Sequence, residues 1–309
     1  MSAPVVLITG AGGFVCSEIA SAMAKSGWSV IAMDREFDAD ATERLGGVER
    51  IMGPVPQVFE ALGDRAQDAV IHGAAITAPP EALGVSRADH LAANTEPLTA
   101  ALKLARRTGV KRFLFLSSMG VFSPDDGPTR GGRVTEAAAP TATCAYCVAK
   151  RAGELITAGA REAGFQTLSL RLGNICGRHE RARQSRPYLS RLRQMTEAAE
   201  TAQEIPVTSP DALREWAWLP DLATGIALLM GEDFGDAPVL HAGSPPAITD
   251  FDLARAIAAR RPGTAIDPTR ASQKVRPPMG SEVPNPLSAV TWTSLDEMLD
   301  HLLSEEVRG

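Results

Sequence analysis

"TGAGGFVCSEIA", residues 9–20, follows the apolar run Val5-Val6-Leu7-Ile8 and opens a segment with helical spacing. A glycine-rich turn between a strand and a helix lets backbone N–H groups approach a pyrophosphate, and the helix N-terminus favours its charge. Gly10 and Gly13 stand where such a turn needs them, with Phe14 and Val15 at the helix start. The third small position is Cys16. A glycine there serves helix–strand packing rather than phosphate contact, and cysteine is small enough to be buried instead. Cys16 is therefore expected beneath a working loop, against the small residues Gly73-Ala74-Ala75. Asp34 closes the second strand, where a carboxylate accepts hydrogen bonds from ribose hydroxyls and repels a 2′-phosphate. NAD is expected over NADP, with the neighbouring Arg35 working against that preference.

Outward from this loop, apolar runs alternate with helical segments. Strands are expected over 5–10, 29–34, 48–53, 69–75, 112–118 and 167–172. Helices are expected over 14–26, 39–46, 57–62, 85–108 and 145–163. Nearly continuous apolar strands between helices mean a parallel sheet covered on both faces. Beyond Gly173 the texture changes: six arginines fall within residues 178–193, then a helical stretch runs to about Gln203. A strand–helix rhythm resumes over 215–230 and 239–243, and helices are expected over 250–260 and 294–306, separated by a Pro-rich stretch at 262–286. The fold class is α/β, a doubly wound parallel sheet (Rossmann) with a smaller substrate-binding lobe. Residues 1–173 and 214–243 are assigned to the dinucleotide domain, 174–213 and 244–309 to the lobe.

Composition narrows the function. The 309 residues carry 31 basic and 37 acidic side chains, without the basic excess of a nucleic-acid binder. No run approaches the length of a membrane span, and a strand within four residues of Met1 leaves no room for a signal peptide. Four cysteines in a chain this long do not read as a disulfide framework, so a reduced, cytoplasmic setting is expected.

"AYCVAK" places Tyr146 and Lys150 at i and i+4, on one face of a helix. With two tyrosines and five lysines in the chain, this spacing has a chance probability of only roughly 3 %. A free tyrosine titrates near pH ~10, too high for a neutral-pH base, and a nearby ammonium favours its phenolate. Ser118 ends the strand "RFLFLSS" at the carboxyl edge of the sheet, where ligands bind. Its hydroxyl can hold the reacting oxygen of a substrate.

In order along the chain, "TGAGGFVC", "VIHGAA", Asn94 in "AANTEPL", "FLSSMGVF", "YCVAK" with Glu154 after it, "RLGNICG", "REWAWLPDLATGI" and "SLDEML" span nearly all of it. In this order they resemble an extended short-chain dehydrogenase/reductase of the NAD-dependent epimerase/dehydratase family. The resemblance implies Tyr146 as acid/base, Lys150 on the nicotinamide ribose, Ser118 orienting the substrate, and Asn94 and Ala74 on the cofactor side. It further implies Asn174, His179 and Arg214 as substrate contacts, Arg214 matching an arginine that meets a nucleotide-sugar diphosphate.

Departures sharpen the reading. Gly53-Pro54 replaces a Gly-Asp pair, and Phe122 and Cys176 replace tyrosines. Met119-Gly120 stands where dehydratases carry Asp-Glu, so water elimination loses its acid and base and dehydration is set aside. Cys144 and Cys147 read as packing residues, His72 as a core histidine, Asp221 as structural, and no metal is expected. The arginine run is either a solvated face or contacts an anionic group at the lobe's mouth. The expected chemistry is NAD-dependent hydride transfer at a carbinol carbon of a sugar, sugar acid or nucleotide sugar. A dehydrogenase releases the ketone; an epimerase turns and reduces it; a non-catalytic NAD-sensing regulator would not need the intact trio. A homodimer with a small, anionic, sugar-like substrate is expected.

Overall fold

β1 (Val5–Thr9) consists of β-branched and aliphatic residues whose last four side chains are buried, so it lies in the middle of a sheet with both faces covered. The computed structural model describes residues 2–63, 65–269 and 274–304. On one side of β1 lie β2 (Ser29–Asp34) and β3 (Glu49–Met52). On the other lie β4 (Ala69–His72), β5 (Arg112–Ser118), β6 (Gln166–Leu172) and a seventh strand, Val239–His241. Every pairing in this sheet is parallel. The strand order reverses at β1, which opens a crevice beyond the carboxyl ends of β1 and β4.

The described helices are α1 (Phe14–Lys25), α2 (Ala39–Arg44), α3 (Val55–Leu62), α4 (Pro80–Leu83), α5 (Arg87–Arg107), α6 (Ala145–Gly159), α7 (Arg191–Thr201), α8 (Leu219–Gly231), α9 (Asp250–Arg260) and α10 (Leu295–Leu303). On one face of the sheet, Ile19 and Met23 of α1 share a core with Leu222 and Ile226 of α8. On the other, Leu98, Leu102 and Ala105 of α5 pack on Phe113 and Phe115. None of the described helices is long and apolar enough to cross a membrane.

A separate core forms from Leu192 and Met195 of α7, Leu253 and Ile257 of α9, Met298 and Leu302 of α10, and Trp216 and Trp218. Both tryptophans fall inside the 214–243 segment assigned to the dinucleotide domain, so the chain changes cores at Leu219 rather than at Arg214. Three short two-stranded ribbons brace this region: 175–176 with 217–218, 204–206 with 265–267, and 213–215 with 247–249. Strands this short carry too few residues for a period-2 signal, which is why most went unread. Of the helix expected over 294–306, residues 305 and 306 lie outside the described residues, as do 270–273 of the Pro-rich stretch.

β4 stops at His72, three residues short of the expected end, because Gly73 turns away after its N–H bonds Thr9 O at 3.2 Å. This turn explains Cys16. Cys16 is 4 % exposed, and a Cβ built on Gly73 would lie 2.2 Å from its Sγ. The sulfur fills the space that glycine leaves. Burial pushes the Cys16 thiol up to about 12, so it is inert packing. Gly73→Ala is expected to destabilise the fold by about 1–3 kcal/mol through overpacking. Adding Cys16→Gly should recover most of that loss in a urea-melt double-mutant cycle. Strictly additive losses would contradict the complementarity.

Candidate active site

The crevice at the strand reversal is built for close backbone approach. Gly10 has φ +75°, and a Cβ there would sit 2.7 Å from Ala74 N. At Gly12 a Cβ would meet Glu36 O at 2.0 Å, so neither position takes a side chain. Gly13 caps α1 without a side-chain hydrogen bond, which leaves the N–H groups of Phe14 and Val15 facing out for an anion. Asp34 accepts hydrogen bonds from Gly12 N at 2.9 Å and Arg35 N at 2.6 Å. Burial raises its carboxyl above the usual range, while those N–H donors and Arg183 pull it back. These residues fit a dinucleotide: glycines where backbones meet, free N–H groups for phosphate, and a carboxylate for a ribose.

Ser118, Tyr146 and Lys150 come together beside this cradle. Gly153 lets α6 settle on β5, since a Cβ there would lie 2.6 Å from Phe115 Cζ. Ser118 Oγ accepts a hydrogen bond from Gly120 N at 3.0 Å. A Cβ on Gly120 would lie 3.2 Å from Ser118 Oγ and 3.6 Å from Tyr146 Cε1, so Gly120 keeps the space between hydroxyl and phenol clear. Lys150 is 5 % exposed; its ammonium donates to Leu116 O at 2.7 Å and lies 4.7 Å from the Phe115 ring centre.

The electrostatics correct one expectation. Lys150 Nζ lies 5.8 Å from the Tyr146 ring centre and is tied to a strand carbonyl. Burial raises the Tyr146 phenol above its ordinary value; the hydrogen bond with Ser118 and the charge of Arg186 oppose this. Lys150 itself is pushed down to about 8 by burial, with Cys16 and Glu154 acting the other way.

Beneath the lysine runs a buried ion-pair network. Arg171 Nε and Nη2 donate to the two oxygens of Glu154 at 2.8 and 2.7 Å, with both side chains about 5 % exposed. Ser117 Oγ donates to the same carboxylate at 2.6 Å. The Phe122 ring centre lies 4.8 Å from the Arg171 guanidinium carbon. His72 bonds Thr9 Oγ1 through Nδ1 at 2.8 Å, and its Nε2 has no partner among the described residues. Burial and Lys150 hold His72 down at about 3, so it stays neutral. Asn94 accepts from Ile76 N at 2.9 Å and donates to His90 O at 3.0 Å, which makes it a brace for the loop after β4.

The arginine run divides among several partners. Residues 178–190 form a strap that crosses the dinucleotide loop. At one end Arg183 pairs with Asp38 and Arg181 with Asp40 at 2.7 Å, both acids belonging to α2 or its cap. At the other end Ser185 O accepts from Thr77 N at 2.8 Å and Ala78 N at 3.0 Å. Next to Ser185, Arg186 lies 5.3 Å from the Phe14 ring centre. Arg178 bonds His301 of α10 at 2.7 Å. His179, expected on the substrate, instead shares a crevice with Gly12, Ser17, Asp38 and Arg44, on the cofactor side. Its position two residues after the "NICG" segment gave no sign that the strap folds back.

Arg214 remains in the lobe, donating to the buried Asp250 at 2.8 Å. Arg276 joins it unforeseen, pairing with the buried Glu215 at 2.8 Å, and Glu215 also accepts from Asn174 N at 3.3 Å. Only the Pro-rich setting of Arg276 marked it, which is no signal for a site. Cys144 and Cys147 are joined by a disulfide, which corrects their reading as simple packing residues.

The model of the NAD dependent epimerase/dehydratase family matches residues 6–240. The chain is 24 % identical over 311 residues to a UDP-glucose 4-epimerase of Azospirillum brasilense, covering 90 % of this chain and 87 % of the relative. Among solved structures it is similar to the UDP-N-acetylglucosamine 4-epimerase from Methanobrevibacter ruminantium in complex with UDP-N-acetylmuramic acid. That match has a TM-score of 0.80 at 17 % identity and covers 98 % of this chain and 97 % of the other. It is also similar to the UDP-glucose 4-epimerase from Bifidobacterium longum in complex with NAD+ and UDP. Here the TM-score is 0.76 at 19 % identity, with 97 % of each chain covered.

Because burial outweighs its neighbours, Tyr146 in the protein without cofactor is expected to ionise above a free tyrosine. Ultraviolet titration should show the tyrosinate signal that Tyr146→Phe removes only above the range of a free tyrosine, pH ~10. A tyrosinate signal near neutral pH, lost in Tyr146→Phe, would contradict this.

Proposed function

The chain belongs to the NAD dependent epimerase/dehydratase family, and from that premise we propose that it epimerises a nucleotide sugar by hydride transfer at a carbinol carbon. NAD is its cofactor and, when bound, supplies the hydride acceptor. Tyr146 takes the proton of the substrate hydroxyl and later returns it. Ser118 positions that hydroxyl, and Gly120 leaves room for it between the two side chains. Lys150, anchored on Leu116 O, holds a ribose hydroxyl and keeps a positive charge at the rim of the phenol. Gly10, Gly13, Phe14, Val15, Asp34 and Ala74 line the cofactor's path, with Asn94 as the brace behind Ala74.

The observation that carries this reading is the convergence of Ser118, Tyr146 and Lys150 around Gly120. For the substrate, Arg214 is anchored by buried Asp250, and Arg276 by buried Glu215, which also accepts from Asn174 N. Cations fixed this way suit a diphosphate. The strap favours an epimerase over a dehydrogenase: a cofactor under residues 178–190 is retained through both half-reactions, while a dehydrogenase must release it each cycle. A homodimer belongs to the same proposal.

The test is incubation with NAD and a panel of nucleotide sugars, sugars and sugar acids. Isomer formation without net NADH is expected; stoichiometric NADH release would make it a dehydrogenase, and neither outcome would leave a binding protein. Tyr146→Phe should lower kcat at least ~10²-fold with NAD affinity retained. Most of the activity surviving would overturn the mechanism. The two arginine groups should separate as well. Arg214→Ala is expected to raise KM roughly 10-fold or more, by loss of a charge-assisted hydrogen bond, with NAD binding unchanged. Arg183→Ala should leave KM alone and speed NAD release by about 2–5-fold, the worth of a part-exposed ion pair.

A further inference from the structure

Tyr146 lies between the two cysteines of "CAYC", and the disulfide they form spans the first turn of α6. The two sulfurs are in unequal settings. Cys144 is exposed and is the N-cap of this 15-residue helix, while Cys147 is 9 % exposed. Cys147 N donates to Cys144 Sγ at 3.1 Å, so the exposed sulfur lies at the positive end of the helix and already accepts one N–H. An outward sulfur at a helix N-terminus, with an inward partner three residues on, is the arrangement that thiol–disulfide exchange needs. The two remaining cysteines, Cys16 and Cys176, are buried, and burial pushes both thiols up, so neither competes.

We propose that Cys144 and Cys147 form a reversible dithiol–disulfide site for low-molecular-weight disulfides, and that its closed form holds Tyr146 in working position. In the oxidising direction the Cys144 thiolate attacks one sulfur of a small disulfide. That S–S bond breaks, a mixed disulfide forms, and one small thiol leaves. The Cys147 thiolate then attacks Cys144 Sγ, the mixed disulfide breaks, and the second small thiol leaves. Two electrons pass from the protein dithiol to the small disulfide, and the two cysteine protons end on the two released thiols. A small dithiol reverses the sequence.

The coupling to Tyr146 follows from its place in the helix. The first N–H groups of a helix have no intrahelical acceptor, so its first turn is the least secured. Here that turn carries the phenol that must meet Ser118. A covalent tie from Cys144 to Cys147 closes the turn around Tyr146; without it only a thiol cap remains, and sulfur is a weak acceptor.

The thiol chemistry stands on its own, while the effect on rate rests on Tyr146 being the acid/base. The full chain is equilibrated in glutathione buffers from reduced to oxidised, trapped with N-ethylmaleimide, and mapped by mass spectrometry. Two labels on Cys144 and Cys147 are expected in reduced buffer and none in oxidised buffer, reversibly, with Cys16 and Cys176 unlabelled in the native protein. Amide hydrogen exchange of residues 145–150 should be slower in the oxidised form, and kcat about tenfold higher, a loss smaller than the ~10²-fold that 1 Å of misplacement can cost. Cys147→Ala, which leaves the Cys144 thiol as the only cap and cannot close the bridge, should show the exchange and kcat of the reduced form in every buffer. A pair that stays reduced or stays oxidised across the whole range overturns the site. Reversible labelling with unchanged exchange and unchanged kcat overturns the coupling. Changed exchange in a protein that turns over no substrate upholds the site and its coupling to the turn, and counts against the reading of Tyr146.

Discussion

A charged lysine 5 % exposed, with its ammonium on a strand carbonyl 2.7 Å away, is the constraint around which this molecule is arranged. Lowering Lys150 from 10.5 to about 8 corresponds to a cost on the order of 3 kcal/mol for holding it charged at neutral pH. The sign follows from proton counts. Between about 8 and 10.5 the unfolded chain keeps a proton that the folded chain has lost, so the cost is full below that window and is relieved as pH rises through it. The surroundings are built to bear the charge. Gly153 lets α6 approach β5, Glu154 supplies a negative charge one turn on, and Arg171 and Ser117 hold that carboxylate in place. A core designed for stability alone would place an apolar side chain here.

The same economy of small residues governs the cofactor cradle. Gly10 and Gly12 let β1, β2 and β4 loops touch, and Gly73 takes the sulfur of Cys16 where the usual glycine is missing. The space left by Gly73 thus offsets the departure at Cys16. Phe122 works in a comparable way: the tyrosine hydroxyl is gone, but its ring lies against the Arg171 guanidinium that steadies Glu154.

The central sheet was legible because its strands are long, apolar and buried on both faces, and β2 and β5 match their expected limits. Tyr146 and Lys150 fall on one face of α6 and Ser118 at the end of β5, as their spacing predicts, and the packing of α6 on β5 brings the three together. What the sequence hid depends on contacts between distant segments. His179 and Arg183 sit over α1 and α2 because a strap folds back across about 140 residues of chain, and no local periodicity encodes that return. Arg276 reaches Glu215 from a Pro-rich stretch without a pattern. The direction of the Tyr146 shift was misjudged for the same reason: spacing places the ammonium on the right face, but only the packing shows it bonded to Leu116 O.

Thermal unfolding of Lys150→Met, with and without NAD, tests most directly whether this buried charge exists for function. Methionine keeps the length of the side chain and removes the ammonium. The expected result is an unliganded protein as stable as the original or more so, whose Tm rises clearly less on adding NAD. A variant that unfolds at lower temperature while keeping the full NAD-induced rise would show that Lys150 supports the fold, and would contradict its role in holding the cofactor.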